Sequence, residues 1–260
     1  MSKISEAFRK GKAFIAFVTG GDPTLETSRD IILAMAEAGA DIIEIGIPFS
    51  DPIAEGPVIQ AANLRALAAG ADLAGIFELV RQVRCKTAVP LVFLTYLNPV
   101  YKYGYDAFFA RCEQAGVDGI IIPDLPFEEK DELAAIADAH KVDLISLVAP
   151  TSAERVQKIA RETRGFLYIV SSMGVTGVRS EIKTDLAAIL AAARAVSDIP
   201  AAIGFGISSP EQVREFGRLA DGVIVGSAIV RLVERYGEAA ADRVFDYVKQ
   251  MKDALTDLGG

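Results

Sequence analysis

Histidine, cysteine and lysine are scarce where a reactive centre would need them. The 260-residue chain has one histidine, His140, which is predicted to end the helix before the fifth strand, at the end of the fold opposite a ligand site. This placement excludes a serine-histidine-aspartate or cysteine-histidine centre and a metal site built on several imidazoles. Lys102 and Lys183 fall in loops and the other lysines in helices or termini, which argues against a Schiff-base mechanism.

Clustered basic residues and long hydrophobic runs are also missing. The net charge of −8 and the pI of about 4.9 argue against binding to nucleic acids or anionic membranes. No apolar run approaches the roughly 20 residues of a membrane span, and the N-terminus has no signal-peptide core. We therefore predict a cytoplasmic protein. Cys85 and Cys112 fall in helical patterns, which predicts two core thiols with no disulfide and no chemical role.

Eight short apolar runs, each followed by a helical pattern, set the predicted fold. With 51% hydrophobic residues, the chain can bury one large core or two small ones. No linker rich in proline, serine or charge divides it, and eight repeated units fit a closed barrel better than an open doubly wound sheet. We predict an α/β fold, a single (β/α)8 TIM barrel domain over residues 1–260. The predicted strands are residues 13–18, 41–45, 91–94, 119–122, 143–148, 166–170, 201–203 and 222–225.

Repeats, one extra helix and three long loops complete this prediction. The segment AGADII at 38–43 recurs as AGVDGI at 115–120, and DGVI at 221–224 echoes both, which supports repeated units. Residues 2–10 are predicted to form an extra N-terminal helix that covers the bottom of the barrel. Because ligands of such barrels sit at the top face, we expect the long loops there to be lids or docking surfaces. These loops follow strands 2, 3 and 6, at residues 46–56, 95–105 and 171–177.

Carboxylates are the remaining candidates for chemistry, and Glu44 is the most informative. It interrupts the predicted second strand, which should be buried on both faces. A buried carboxylate persists if it forms an ion pair with the helix layer, or if its pKa rises so that it works as a general acid-base. Glu55, in the following loop, is a candidate second carboxylate. Asp51 and Asp124 lie in top loops too, but their sequence contexts are equally typical of turns.

Glycines after the last two predicted strands indicate a phosphate site. They lie in GFGIS at 204–208 and VGSAI at 225–229, and each group precedes a helix. Glycine lets backbone N–H groups approach an anion closely, and a helix beginning near Gly226 would bind phosphate without a lysine. Gly177 is a candidate third contact. The alternative is that these are ordinary barrel turns.

Aromatic and apolar residues near the strand ends are candidates for the wall of a slot that holds an aromatic group. The alternative is that they only fill the barrel interior, which is usually apolar. The residues are Phe17, Leu94, Tyr96, Tyr168 and Phe205.

The order of these motifs resembles the tryptophan synthase alpha subunit family along almost the whole chain. The resemblance begins at FVTGGDP (17–23) and ends at GSA (226–228). Its most specific segments are EIGIPFSDP (44–52), GPVIQ (56–60), PDLP (123–126) and GVTG (174–177).

The resemblance implies cleavage of indole-3-glycerol phosphate to indole and glyceraldehyde 3-phosphate, a retro-aldol reaction that needs no cofactor or metal in this chain. Glu44 matches the proton donor to the indole ring, and Glu55 stands where the family usually has an aspartate that accepts the indole N–H. Thr176 and Tyr168 match substrate-binding positions. Ser172 and Met173 replace residues where many relatives carry an arginine. The phosphate cradle matches Gly177, Gly206, Gly226 and Ser227.

The family works with a beta subunit that carries pyridoxal phosphate, so the resemblance implies a heterotetramer of two alpha and two beta subunits. The segments 48–52 and 98–103 are rich in proline, phenylalanine and tyrosine, as interfaces often are. Pro48, Phe49, Asp51 and Asn98 are the interface candidates. Two alternatives stay open: a free-standing lyase that releases indole, and a non-catalytic barrel that binds phosphate and activates a partner.

Overall fold

Parallel strands form one sheet that curves into a barrel. The computed structural model of the chain describes residues 2–170, 179–204 and 206–258. Its strands hydrogen-bond in the order β5-β4-β3-β2-β1-β9-β8-β7-β6, and every pair is parallel. The strands are β1 Ala13–Thr19, β2 Ile42–Gly46, β3 Leu91–Leu94, β4 Gly119–Ile121, β5 Asp143–Ile145, β6 Leu147–Val148, β7 Leu167–Val170, β8 Ala201–Gly204 and β9 Gly222–Val225.

The barrel closes through a strand that is split in two at Ser146. The first part, β5, pairs with β4, and the second part, β6, pairs with β7. The N–H of Tyr168 donates to the carbonyl of Ser146 at 3.0 Å, which joins the two halves of the wall. β5 and β6 together occupy the predicted fifth strand, so the prediction of a (β/α)8 barrel is confirmed.

Helices surround the strands, and one of them corrects a prediction. The stretch 95–105 was predicted as a loop, but α5 occupies most of it and α6 begins at Tyr105. Pro99 lies in the first turn of α5, where a missing N–H costs no helical hydrogen bond. The helices are α1 Lys3–Arg9, α2 Leu25–Glu37, α3 Pro57–Ala68, α4 Leu73–Arg84, α5 Leu97–Tyr103, α6 Tyr105–Ala115, α7 Asp131–Ala139, α8 Ala153–Glu162, α9 Arg179–Arg194, α10 Pro210–Gly217, α11 Ser227–Tyr236 and α12 Ala240–Thr256.

The first helix closes the bottom of the barrel, as predicted. Ser2 caps α1 by accepting the N–H of Ser5, and Ile4 is fully buried. Ile4 packs with the inward-facing residues of the strands, including Ile15, Ile42 and Phe166. An apolar plug therefore keeps water from entering the barrel from below.

The repeated sequence segments form a repeated hydrogen-bond clamp at the bottom of the barrel. Asp41, Asp118 and Asp221 each stand directly before a strand. Each carboxylate accepts a backbone N–H from the first or second residue of the neighbouring strand at 2.7 to 2.9 Å. Each aspartate N–H donates to the carbonyl of that same residue at 2.8 to 2.9 Å. One residue type thus joins two strands at three places.

A cationic side chain completes each clamp. The nitrogen-to-oxygen distance is 2.6 Å between Lys252 and Asp41, 2.7 Å between Arg84 and Asp118, and 3.2 Å between Arg194 and Asp221. A half-buried carboxylate is tolerated where hydrogen bonds and an opposite charge replace its water. The repeat therefore stabilises the barrel bottom.

The two thiols and the histidine differ in how well they were predicted. Cys112 is fully buried in the outer core, whereas Cys85 is exposed at the end of α4, so its predicted core position was wrong. The last buried residue of α4 is Val83, and the apolar face stops there. His140 caps the C-terminal end of α7 as predicted, and it contacts Glu113 at 3.1 Å.

Within the described residues, no helix combines the length and apolarity needed to cross a bilayer.

Candidate functional site

A cavity of about 210 Å³ opens at the carboxyl ends of the strands. Both candidate catalytic carboxylates and most of the candidate binding residues line it. Its wall consists of Phe17, Glu44, Ala54, Glu55, Gly56, Ile59, Leu94, Tyr168, Gly204, Gly206, Ile207, Ile224, Gly226 and Ser227. A larger cavity of about 380 Å³ lies beside Lys130 and Arg155, near the starts of α7 and α8, and none of its described lining residues is a carboxylate. Acid-base chemistry is expected at the barrel mouth because this cavity brings Glu44 and Glu55 together at the carboxyl ends of the strands.

Glu44 projects from the middle of β2 into the barrel. Its register partners are Phe17 on β1 and Val92 on β3, both buried. The side chain is fully buried, and among the described residues neither carboxylate oxygen has a hydrogen-bond or ion-pair partner. Because burial penalises the charged form, it raises the pKa of Glu44 to about 8. Glu44 is therefore protonated near neutral pH and can act as a proton donor.

Tyr168 lies beside Glu44 against the backbone of β8. Burial, and next the negative charge of Glu44, raise the pKa of Tyr168 well above its usual value, so its hydroxyl stays neutral. The ring covers Gly204: a Cβ there would lie 2.5 Å from the tyrosine hydroxyl and from a ring carbon. Gly204, the last residue of β8, begins the glycine segment that was predicted to bind phosphate. Its missing side chain makes room for the tyrosine.

Glu55 reaches the cavity from the loop between β2 and α3. Burial raises the pKa of Glu55, and hydrogen bonds from Asn63 and Tyr96 lower it in part. The Asn63 side-chain amide donates to Oε2 at 2.6 Å. Asn63 is buried on the inner face of α3 beside Ala62, so it is a polar residue on an apolar helix face. That pattern was a usable signal, and the sequence analysis missed it.

Tyr96 does not line the cavity as predicted. It is buried at the end of β3, and its hydroxyl accepts the N–H of Ala54 at 3.1 Å. Its ring centroid lies 5.3 Å from that of Phe49. Tyr96 therefore contacts the loop that carries Glu55 from outside the cavity.

Three of the candidate phosphate residues, Gly206, Gly226 and Ser227, line the same cavity. Gly206 has a φ of +52°, which favours glycine, and Gly226 precedes the first turn of α11, where Ser227 is the first helical residue. The first N–H groups of a helix have no carbonyl partner within it, so this end can bind an anion. Thr176, Gly177 and Phe205, which were also candidates, lie outside the described residues.

The candidate interface residues surround the mouth. Pro48 and Phe49 are half-buried, and Asp51 and Asn98 are exposed. The loop after β2 and α5 also expose large apolar side chains, two of them in the predicted interface segment 98–103 and one, Ile53, outside the predicted interface segments. These are Ile53, Tyr101 and Tyr103, which are 80%, 68% and 43% exposed.

The rest of the described chain offers no grouping of three histidine, cysteine or acidic side chains that could hold a metal ion. In the part of the chain that the structure describes, Asp143 is the other carboxylate with a buried oxygen that lacks a partner, and it is the first residue of β5, at the bottom of the barrel. Glu44 and Glu55 are therefore the acidic groups that share the cavity at the mouth.

Comparisons with known proteins point to the same family as the sequence motifs. A family model described as tryptophan synthase alpha chain matches residues 4–256. The tryptophan synthase alpha chain of Lactiplantibacillus plantarum is 50% identical over 256 residues, which cover 98% of this chain and 97% of the relative. The tryptophan synthase alpha chain of Lacticaseibacillus casei is 49% identical over 255 residues, which cover 98% of this chain and 96% of the relative.

Solved structures give the same result. The crystal structure of tryptophan synthase subunit alpha from Legionella pneumophila superposes with a TM-score of 0.89 at 36% identity, covering 99% of both chains. A chain from the tryptophan synthase complex of Pyrococcus furiosus superposes with a TM-score of 0.86 at 37% identity, covering 94% of this chain and 99% of that one. The chain belongs to the tryptophan synthase alpha chain family.

Proposed function

We propose that this protein cleaves indole-3-glycerol phosphate into indole and glyceraldehyde 3-phosphate, in tryptophan biosynthesis. The observation that carries this proposal is Glu44, a carboxyl group without a partner among the described residues, buried in the wall of a cavity and with a pKa raised to about 8. A retro-aldol cleavage of this substrate needs one proton delivered to the ring and one taken from a hydroxyl. A single neutral carboxyl group can serve both steps.

The reaction begins when Glu44 transfers its proton to carbon 3 of the indole ring. The ring becomes an iminium ion, and the carboxylate of Glu55 accepts a hydrogen bond from the ring N–H and offsets the positive charge. The ionised Glu44 then takes the proton of the hydroxyl on the adjacent side-chain carbon. The bond between that carbon and ring carbon 3 breaks, its electrons restore the indole, and an aldehyde forms. Glu44 ends the cycle protonated, as it began.

The walls of the cavity hold the two ends of the substrate apart. Phe17, Leu94 and Tyr168 offer apolar surface to the indole ring. Gly206, Gly226 and Ser227 offer backbone N–H groups and a helix N-terminus to the phosphate. In a chain with a net charge of −8, this local dipole is what lets an anionic substrate bind. Thr176, Gly177 and Phe205 stay predicted substrate contacts.

A beta subunit is the proposed partner, docked on the mouth. In the Pyrococcus furiosus complex, the two kinds of tryptophan synthase subunit are described as activating each other. The exposed Ile53, Tyr101 and Tyr103, with Pro48, Phe49, Asp51 and Asn98, suit a surface that a partner covers. We infer that indole passes to this partner, which carries the pyridoxal phosphate, in a heterotetramer. This chain uses no cofactor of its own.

Three further predictions accompany this function. A cytoplasmic location and a single barrel domain over residues 1–260 stay predictions. So does a lid at residues 171–179, which closes on the phosphate with hinges at Gly174 and Gly177. The lid falls largely outside the described residues.

Substrate turnover by the purified chain, with and without a beta subunit, tests the proposal. The Glu44→Gln variant is expected to lose about 100- to 10,000-fold in kcat, the usual contribution of acid-base catalysis, while it keeps its affinity for a phosphate-bearing analogue. Indole release at the same rate with and without the beta subunit would favour a free-standing lyase. Partner activation by a Glu44→Gln variant, together with an inactive wild type, would favour a non-catalytic regulator.

A further inference from the structure

Two neutral side chains hold the carboxylate of Glu55 from different elements. The Asn63 amide on α3 donates to Oε2 at 2.6 Å. The Tyr96 hydroxyl, at the start of α5, accepts the N–H of Ala54 at 3.1 Å, and as a hydrogen-bond donor it lowers the pKa of the Glu55 carboxyl group. Asn63 and Tyr96 are 3% and 1% exposed, so both are fixed by packing. Among the described residues, Glu55 is thus held by two uncharged donors and by no cation.

We propose that Asn63 and Tyr96 are positioning residues that hold Glu55 as a charged acceptor for the ring N–H of the substrate. This inference rests on the proposed function, because that reaction is what places an indole N–H opposite Glu55. It adds two residues to the site, one of them absent from the candidates and the other moved from the cavity wall to a supporting position.

The physical reason is a balance between burial and hydrogen bonding. Burial raises the pKa of Glu55, and the two donors lower it, Asn63 more than Tyr96. The neighbouring titratable groups are Glu44 in the same cavity and Asp124 beside Tyr96, which are acidic and supply no positive charge. A protonated Glu55 accepts hydrogen bonds more weakly and cannot offset the charge of the protonated ring. The donors therefore keep the carboxylate in its useful form.

Orientation depends on the same contacts. A glutamate has one more rotatable bond than the aspartate usual in the family, so its carboxylate needs firmer support to stay aimed at one atom. The 2.6 Å bond from Asn63 ends on one oxygen, Oε2, and so fixes the direction of the carboxylate. Tyr96 also holds the backbone at Ala54, one residue earlier, so it restrains both ends of Glu55.

The chain offers a matched control in Gln60. Its side-chain amide donates to the backbone carbonyl of Glu55 at 2.8 Å, and the residue is exposed on the same helix as Asn63. Gln60→Ala removes one hydrogen bond to Glu55 without touching the carboxylate. Asn63→Ala removes one that ends on the carboxylate.

The experiment measures kcat/KM for indole-3-glycerol phosphate against pH, from about pH 5 to 9, for the wild type, Asn63→Ala, Tyr96→Phe and Gln60→Ala. Removing a donor raises the pKa of Glu55, so more of it is protonated at a given acidic pH. We expect the acidic limb to move to higher pH by about half a unit to one unit in Asn63→Ala and Tyr96→Phe. At pH values below this limb, the shift lowers kcat/KM by about 3- to 10-fold relative to the wild type. Gln60→Ala should keep the wild-type limb.

Three results would overturn the inference, and they are distinguishable. If Asn63→Ala and Tyr96→Phe lower kcat/KM equally at every pH and leave the acidic limb at its wild-type pH, both residues only support the fold. An equal shift in Gln60→Ala would mean that any contact of Glu55 suffices. A wild type that does not cleave the substrate even with a beta subunit would remove the proposed function, and the inference with it. Tyr96→Phe keeps the ring beside Phe49, so it carries the test if Asn63→Ala does not fold.

Discussion

Three aspartates at the bottom of the barrel and Glu44 at its mouth are acidic groups in opposite environments. At the bottom, Asp41, Asp118 and Asp221 each accept a backbone N–H and contact a cation. At the mouth, Glu44 is more deeply buried and has no partner among the described residues. The carboxyl group therefore stabilises the fold in the three aspartates, and in Glu44 it is buried without a partner among the described residues and is protonated. A carboxylate without compensation costs stability, so its presence at the mouth is best explained by chemistry.

The largest expected difference between the two ends is in the pH dependence of stability. The folded state keeps the proton of Glu44 up to a pH of about 8, whereas the unfolded chain loses it near 4.5. Folding therefore takes up a proton between these values, and the free energy of unfolding falls by about 1.4 kcal/mol for each pH unit as the pH rises. Glu44→Gln should remove this slope. Urea denaturation of both proteins at several pH values measures it, and parallel curves would contradict the prediction.

At the bottom, Asp118→Ala should lower the free energy of unfolding by about 3 kcal/mol. The substitution removes the acceptor for a strand N–H and leaves the half-buried Arg84 without its acidic partner. Asp131→Ala is the control, because that carboxylate is 88% exposed and its contact with Lys130 is long, 3.4 Å. Denaturation midpoints of the two variants give the comparison. A loss as small as in the control would show that the clamp is unimportant.

A steric change at the mouth should cost somewhat less. In Gly204→Ala the new methyl group would meet the ring of Tyr168 at 2.5 Å, so the ring or the strand must move. We expect a loss of about 1 to 3 kcal/mol in stability and a lower kcat/KM, because the ring leaves its place beside Glu44. Both can be measured on one preparation. Unchanged activity would show that the position of the tyrosine does not matter.

The smallest effect on stability is expected at the rim of the mouth. Ile53 is 80% exposed, so Ile53→Ser should change the free energy of unfolding by less than about 0.5 kcal/mol. The same variant should bind a beta subunit more weakly, since an apolar contact is lost. Calorimetric titration with the partner measures the affinity. Unaltered binding would place the interface elsewhere.

Local patterns were enough to predict the barrel and the position of Glu44. Apolar runs mark strands buried on both faces, and a carboxylate within such a run, as at position 44, departs from that pattern. The repeats at Asp41, Asp118 and Asp221 were visible too. Their cations were not, because Lys252 lies 211 residues from Asp41 in the sequence. Partners so far apart in sequence are brought together only by the fold.

Other features depend on contacts that a single sequence does not display. The split at Ser146 follows from closing the sheet, since β5 and β6 face different neighbours. The helix α5 is supported by Asp124, which accepts the N–H of Leu97 at 2.9 Å from another loop. The role of Asn63 depends on the contact of its amide with Glu55, at 2.6 Å, which forms only when the loop after β2 packs against α3.

The central claim is that Glu44 is held protonated at neutral pH by burial. A direct measurement is the titration of its side-chain carboxyl carbon by NMR in protein labelled at glutamate, with Glu44→Gln identifying the signal. The account predicts a midpoint near 8, in line with the raised pKa. A midpoint near the ordinary value of 4.5 would contradict it, because a carboxylate ionised at neutral pH has no proton to give to the substrate.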